Sequence, residues 1–130
     1  MENLPLFFRL RKRPVLLVGA GAAAVAKARL LLAAGADVRV VAPQGLGEVA
    51  DWAAQGRLRW ERRAFDPADV AGMTLVIGAM GDDELDAAVA DAAKEAAIPV
   101  NIVDRPELSS FIVPSIVDRS PVTIGISTNG

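Results

Sequence analysis

Apolar residues in this chain fall in short unbroken runs separated by polar or glycine-containing punctuation. Val15-Leu16-Leu17-Val18 and Thr74-Leu75-Val76-Ile77-Gly78-Ala79 have strand length and no polar alternation, the pattern of strands buried on both faces of a parallel sheet. Asp37-Val38-Arg39-Val40-Val41-Ala42 and Pro99-Val100-Asn101-Ile102-Val103 read as two more strands, and Arg57 to Arg62 alternates so that Leu58 and Trp60 point one way. Between these runs the period lengthens. Val25, Ala28, Leu31, Leu32 and Gly35 share one helical face, with Gly35 as the stop, and Leu46, Val49, Ala50 and Ala53 share another, ending at Gly56. Asp66-Pro67-Ala68-Asp69 has the cap-then-proline order of a short helical turn, and a capped helix is predicted from about Asp82 to Ala97.

Strands alternating with helices over the first hundred residues predict a doubly wound parallel α/β sheet with right-handed crossovers. The turns after Val18, Ala42, Ala79 and Val103 then share the rim where such sheets bind ligands. Gly19-Ala20-Gly21-Ala22-Ala23-Ala24 follows the first strand directly and opens the first helix, with Gly19, Gly21 and Ala24 at the three small-residue positions of a Rossmann dinucleotide fingerprint. Gly19 permits a tight turn, Gly21 leaves room for a diphosphate, and Ala24 lets the helix lie close to the strand. The carboxylate that commonly ends the second strand and holds a ribose hydroxyl is missing: Ala42-Pro43-Gln44 stands there. Residue chemistry therefore leaves NAD and NADP both open, as it leaves open a merely structural glycine turn.

From Phe111 the texture changes. Phe111 to Pro114 and Val122 to Ser127 read as strands around an Asp118-Arg119-Ser120-Pro121 turn, with no helix between. The expected division is a nucleotide-binding Rossmann domain over 1–110 and a short β-rich extension over 111–130. The chain stops at Asn129-Gly130 without a capped helix or polar tail, which reads as the beginning of a truncated segment.

Composition narrows the chemistry. The 130 residues contain no cysteine and no histidine, so thiol nucleophiles, disulfides, imidazole catalysis and Cys/His metal sites are excluded within the chain. A balance of 14 basic to 16 acidic residues lacks the basic excess of a nucleic-acid binder. The longest apolar stretch, Pro14 to Ala26, is too short for a bilayer and is broken by glycines, and no leader precedes it. A cytoplasmic protein with neither nucleic-acid nor membrane partners is expected. Arg9, Arg11, Lys12 and Arg13 read as a solvated turn after Leu4-Pro5-Leu6-Phe7-Phe8. Trp52, Trp60, Phe65 and Met73 are expected in core or half-buried packing. Asp104 is the carboxylate placed directly at a strand end on the ligand rim; an Asp before Arg105-Pro106 would equally suit a local side-chain-to-backbone turn.

Several pieces together resemble the precorrin-2 dehydrogenases of siroheme synthesis, including the amino-terminal module of siroheme synthases. They are Leu4-Pro5-Leu6-Phe7, Val18-Gly19-Ala20-Gly21 with Lys27, the Leu30 to Val41 block running into Ala42-Pro43, Phe65-Asp66, Asn101-Ile102-Val103-Asp104, and Phe111-Ile112-Val113-Pro114-Ser115-Ile116-Val117-Asp118-Arg119-Ser120-Pro121. The last two are the specific ones. The resemblance implies NAD-dependent oxidation of precorrin-2 to sirohydrochlorin and, in some relatives, insertion of ferrous iron. It implies cofactor contacts at Gly19, Gly21, Ala22, Ala23, Pro43 and Gln44, and an essential carboxylate at Asp104. With no thiolate or imidazole, iron meets only oxygen ligands and the macrocycle, a transient contact at Asp104 being the allowed mode. The acidic arms of a tetrapyrrole need donors, for which Arg105 and Arg119 are the candidates with Ser120 beside them, against a plain Asp118–Arg119 surface pairing. The resemblance also implies a homodimer in the full-length form.

The chain departs from the family in three places. Met80-Gly81 stands where Ala-Thr is usual, Ala26 where Arg precedes Lys27, and Asn129-Gly130 where Gly-Gly follows Ser-Thr. Two other readings share the nucleotide fold: a non-catalytic NAD-binding regulatory domain, which typically keeps the second-strand acid and lacks the Pro114 to Pro121 run, and a degenerate module that binds cofactor without chemistry.

Overall fold

The computed structural model describes residues 1–128. Five parallel strands form one sheet: β1 (Pro14–Val18), β2 (Asp37–Val41), β3 (Arg59–Glu61), β4 (Leu75–Gly78) and β5 (Val100–Ile102), in the spatial order β3-β2-β1-β4-β5. The chain winds outward from β1 to β3, then returns to the other side of β1 for β4 and β5. A crevice is created where the winding reverses, between the carboxyl ends of β1 and β4. Helices α1 (Ala22–Ala33), α2 (Gly47–Ala54) and α3 (Asp83–Glu95) make the crossovers. The doubly wound Rossmann-like architecture expected from the alternation is the one observed.

Period explains which face each strand buries. Val15 and Leu17 of β1 with Val38 and Val40 of β2 pack under α1 and α2, whereas Leu16, Val18 and Val41 pack toward α3. Leu16 and Leu17 are both within the fully buried set, each contributing roughly 1.5–3 kcal/mol of hydrophobic stabilisation. The buried face of α1 is Ala24, Val25, Ala28 and Leu31; Leu32 is half-buried, and Gly35 stands exposed beyond the helix as its stop. Leu58 and Trp60 join the α1–α2 side as the alternation requires, and Trp52, Phe65 and Met73 pack half-buried against the core. Gly35 has φ +77 and the amide of Ala36 bonds back to Leu31 at 3.1 Å, closing α1 as a left-handed glycine cap does.

The carboxyl-terminal segment differs from expectation. Phe111 to Pro114 is not a strand, because other bonds claim its backbone: the carbonyl of Phe111 accepts from Asn101 Nδ2 at 3.0 Å, and Pro114 has no N–H to give. The strand falls instead on β6 (Ser115–Arg119), paired antiparallel with β7 (Val122–Ile126), so the turn tightens to Ser120-Pro121. That peptide is cis. The ribbon is exposed on both faces, with Ile116, Val117, Val122, Ile124 and Ile126 among the exposed large apolar residues. A short 3₁₀ turn at Pro106–Leu108, unmarked by any periodicity, leads into it. Asn129 lies outside the described residues, and no helix among those described is long and apolar enough to cross a membrane.

Segment 109–110 holds this region to the sheet. Strand β5 is an edge strand, and its outward N–H groups at Val100 and Ile102 donate to the hydroxyls of Ser110 and Ser109, each at 2.9 Å. The serines replace a missing neighbour strand.

α3 ends with Ala97 at φ +56, a left-handed position for which alanine is poorly suited. Ala97→Gly is expected to raise unfolding stability by about 1 kcal/mol, measurable by urea denaturation. Asp86 of α3 is the one buried carboxylate among the described residues, only 3% exposed. Burial pushes its pKa up, with Arg105 opposing and Asp82 and Asp83 reinforcing the shift. A raised folded pKa gives a contribution present in full below the ordinary carboxylate value of about 3.9 and lost as pH rises through the folded value. Asp86→Asn is therefore expected to raise Tm at pH 7 and to leave it unchanged near pH 3, as checked by thermal melts at the two pH values.

Candidate functional site

The glycine loop and the end of β4 meet at the crevice. Gly19 has φ +128, and a Cβ there would stand 2.7 Å from the carbonyl oxygen of Ala79. Backbone bonds fix the approach: Gly19 N–H donates to Val41 at 3.0 Å, and Ala79 N–H to Val18 at 2.8 Å. Gly21 differs in kind. Its φ is −84 and a Cβ would meet nothing within 4 Å, so neither backbone conformation nor internal packing calls for glycine there. Open space beside Gly21 suits an external group.

That group is an anion by the character of α1. Gly21 is the N-cap with no side-chain cap, and the first turn carries no acidic residue. By contrast α3 is capped by Asp82, which accepts from Leu85 N–H at 2.9 Å, and the turn at Pro67–Val70 by a reciprocal Asp66–Asp69 box. The N–H groups opening α1 are free for phosphate oxygens and carry the positive end of the helix dipole. A cleft of about 270 Å³ lies at this point, lined by Gly21, Ala22, Ala23, Met80, Gly81 and Asp104 among others. The residues thus fit the diphosphate of a dinucleotide.

At the neighbouring rim, Pro43 and Gln44 are exposed beyond β2. Their loop is fixed by Leu46 N–H donating to Ala20 at 2.9 Å, and by Gly45, where a Cβ would stand 2.3 Å from that of Ala20. Gly45 is a positioning residue that the sequence pattern did not mark, since a lone glycine after proline reads only as loop.

Asp104 closes β5 in a tight turn, Arg105 N–H bonding back to Ile102 at 3.0 Å, and its φ of +63 puts it in the left-handed region. Asp tolerates that region better than most residues, at a cost of roughly 1 kcal/mol. Its carboxylate is exposed and makes no side-chain hydrogen bond or ion pair among the described residues, so the local-turn role is not the one seen. A second cleft, of about 220 Å³, shares Asp104 with the first and includes Lys27, Asn101, Arg105, Ser109 and Val113 in its lining. Among the described residues Asp104 is the only carboxylate lining either cleft.

The other expected site residues are placed differently. The Arg105 guanidinium lines the second cleft but is paired with Asp83 at 2.6 Å and with Glu107, and these partners hold its pKa above the usual arginine value. Arg119 and Ser120 are at the tip of the ribbon, five residues and ~17 Å of strand beyond Pro114. There Arg119 Nη1 donates to the backbone carbonyl of Asp118 at 3.2 Å. The structure brings together the glycine loop, Asp104 and Arg105, and does not bring Arg119 and Ser120 to either cleft. Lys27 and Asn101, which sequence spacing alone did not single out, line the second.

Comparison with known proteins agrees with this geometry. A family model described as putative NAD(P)-binding matches residues 6–115. The siroheme synthase of Methylobacillus flagellatus is 49% identical over all 130 residues, which span 28% of that protein. Siroheme synthase 3 of Aeromonas hydrophila is 48% identical and the enzyme of Methylococcus capsulatus 45%, again over the whole chain, which covers 28% and 27% of them. The chain therefore spans under a third of these curated relatives. Among solved structures, SirC, a precorrin-2 dehydrogenase, superposes with a TM-score of 0.84 at 26% identity, over 98% of this chain and 63% of that one. A diphosphate-ready helix at the switch point of a parallel sheet, matched along most of its length by that family model, makes the chain a member of the putative NAD(P)-binding family.

Proposed function

We propose that the chain performs the dehydrogenation of siroheme synthesis, oxidising precorrin-2 to sirohydrochlorin with NAD as acceptor. The observation that carries this reading is that two clefts, one opening onto the uncapped start of α1 and one onto Lys27, meet at a single exposed and unpaired carboxylate. Relatives named siroheme synthase and a structural neighbour named precorrin-2 dehydrogenase support the choice of reaction.

NAD, when bound, accepts the hydride. The chain's own residues do the rest. Gly19 keeps the loop low against Ala79, Gly21 leaves the diphosphate room, Ala22 and Ala23 offer N–H groups, and Pro43 and Gln44 border the ribose end. Loss of a hydride from one carbon of precorrin-2 must be matched by loss of a proton, and Asp104 is the group in reach to take it. Of the donors expected for the acidic arms of the tetrapyrrole, Arg105 borders the second cleft but is engaged by Asp83 and Glu107, and Arg119 and Ser120 reach the substrate only if the ribbon of a second copy carries them there. The exposed apolar ribbon β6–β7 supports a homodimer in which it is covered. Insertion of ferrous iron, where it follows, would use Asp104 again to accept a pyrrole proton.

Anaerobic incubation of the purified protein with precorrin-2 and NAD should yield NADH. Asp104→Asn is expected to lower turnover by roughly 10²–10⁴-fold while leaving the NAD Kd unchanged. Unaltered turnover by the variant refutes the assignment of Asp104; no NADH from the unaltered protein refutes the dehydrogenase and favours a nucleotide sensor. The two loop glycines should separate folding from binding. Gly19→Ala is expected to cost at least roughly 1–3 kcal/mol of stability. Gly21→Ala should change stability by no more than about 1 kcal/mol yet weaken NAD binding roughly tenfold, as read by melting and titration calorimetry.

A further inference from the structure

The second cleft holds a cation that the fold does not use. Lys27 is the one charged residue between Pro14 and Ala28, and it sits on a helix whose Ala24, Ala28 and Leu31 are buried. It is half-buried and makes no ion pair or hydrogen bond among the described residues. Its ammonium is left with its three donors unused by the protein, and an anion arriving in the cleft can take them.

The other side-chain donors around the cleft are already engaged. Arg105 is paired with Asp83 and Glu107. Asn101 Nδ2 donates to the carbonyl of Phe111 at 3.0 Å, and the Ser109 hydroxyl donates to the carbonyl of Arg105 at 2.9 Å. Among the described residues Lys27 is the side-chain donor of this cleft that makes no bond, and so is free to receive an anion. Ile112 and Val113 give the same cleft an apolar wall, so the space suits a ligand with a flat apolar body and a carboxylate arm. Lys27 is not among the residues of the cleft at the start of α1, which separates its ligand from the nucleotide phosphates.

Resting on the dehydrogenase reading, we propose that Lys27 anchors a carboxylate arm of the tetrapyrrole in the second cleft, as a specificity-determining residue that touches substrate and not nucleotide. The arm at Lys27 and the nucleotide beyond Gly21 then lie in separate clefts that share Val103 and Asp104.

Sirohydrochlorin, the reaction's product, tests this by binding alone, followed by absorbance titration against the unaltered protein, Lys27→Gln and Lys27→Arg. Lys27→Gln should weaken sirohydrochlorin binding roughly ten- to a hundredfold, Lys27→Arg should recover it to within about threefold, and all three proteins should share one NAD Kd and one Tm. The fully esterified tetrapyrrole should bind the unaltered protein and Lys27→Gln equally. Equal sirohydrochlorin binding by Lys27→Gln, loss of NAD affinity in its place, or absence of sirohydrochlorin binding by the unaltered protein each overturns the proposal. Lys27-dependent sirohydrochlorin binding by a protein that forms no NADH from precorrin-2 upholds the site and refutes the dehydrogenase reading.

Discussion

The close approach of two backbone segments, Gly19 and Ala79, is the constraint on which the rest of the molecule turns. At 2.7 Å from a would-be Cβ to a carbonyl oxygen, no side chain fits between them. That contact sets how near the first helix begins to the end of β4, and so how narrow the crevice at the sheet's reversal is. The alanines of α1 extend the same logic along the helix. Ala24 and Ala28 are fully buried, and residues of their size let the helix axis approach the sheet. Replacing bulk with proximity leaves the N–H groups of α1 at the rim rather than above it.

Much of this was legible in the sequence because it depends on local period. Unbroken runs mark β1 and β4, alternation marks β3, and the glycine spacing after Val18 marks the anion-binding turn. Asp104 was legible as a strand-end carboxylate, although its left-handed backbone and lack of partners were not. What escaped were effects of long-range partners. The strand expected at Phe111 to Pro114 is displaced because Asn101, ten residues earlier, claims the carbonyl of Phe111. Arg105, a natural carboxylate fork by type, is already engaged by Asp83 from the opposite side of the sequence gap between α3 and β5. Spacing cannot report that a donor is already taken. Lys27, quoted only among the pieces of the family resemblance, received no role for the converse reason: a lysine on a helix face ordinarily reads as solvated.

Charge is distributed unevenly around Asp104. Acidic Asp82, Asp83, Glu84 and Asp86 crowd the first turn of α3, complementing that helix's dipole, while α1 begins without any acid at all. Two helices of one sheet thus present opposite faces to an approaching anion: one satisfied by its own side chains, the other left open. The difference follows from a few residues at each N-terminus and directs anionic ligands to one end of the rim without a basic patch.

Ser109 and Ser110 leave the two margins of the sheet with different fates. At β5 the hydroxyls occupy the outward amides, so no further strand can be added there, and lateral growth of the sheet stops within the chain itself. At β3 the margin is only three residues long and flanked by arginines, which discourages pairing by charge. Neither border invites self-association, and the free strand edges that remain belong to the β6–β7 ribbon. Any β-type union with another polypeptide is thereby channelled away from the nucleotide-bearing body and onto a projection that can be engaged without deforming it.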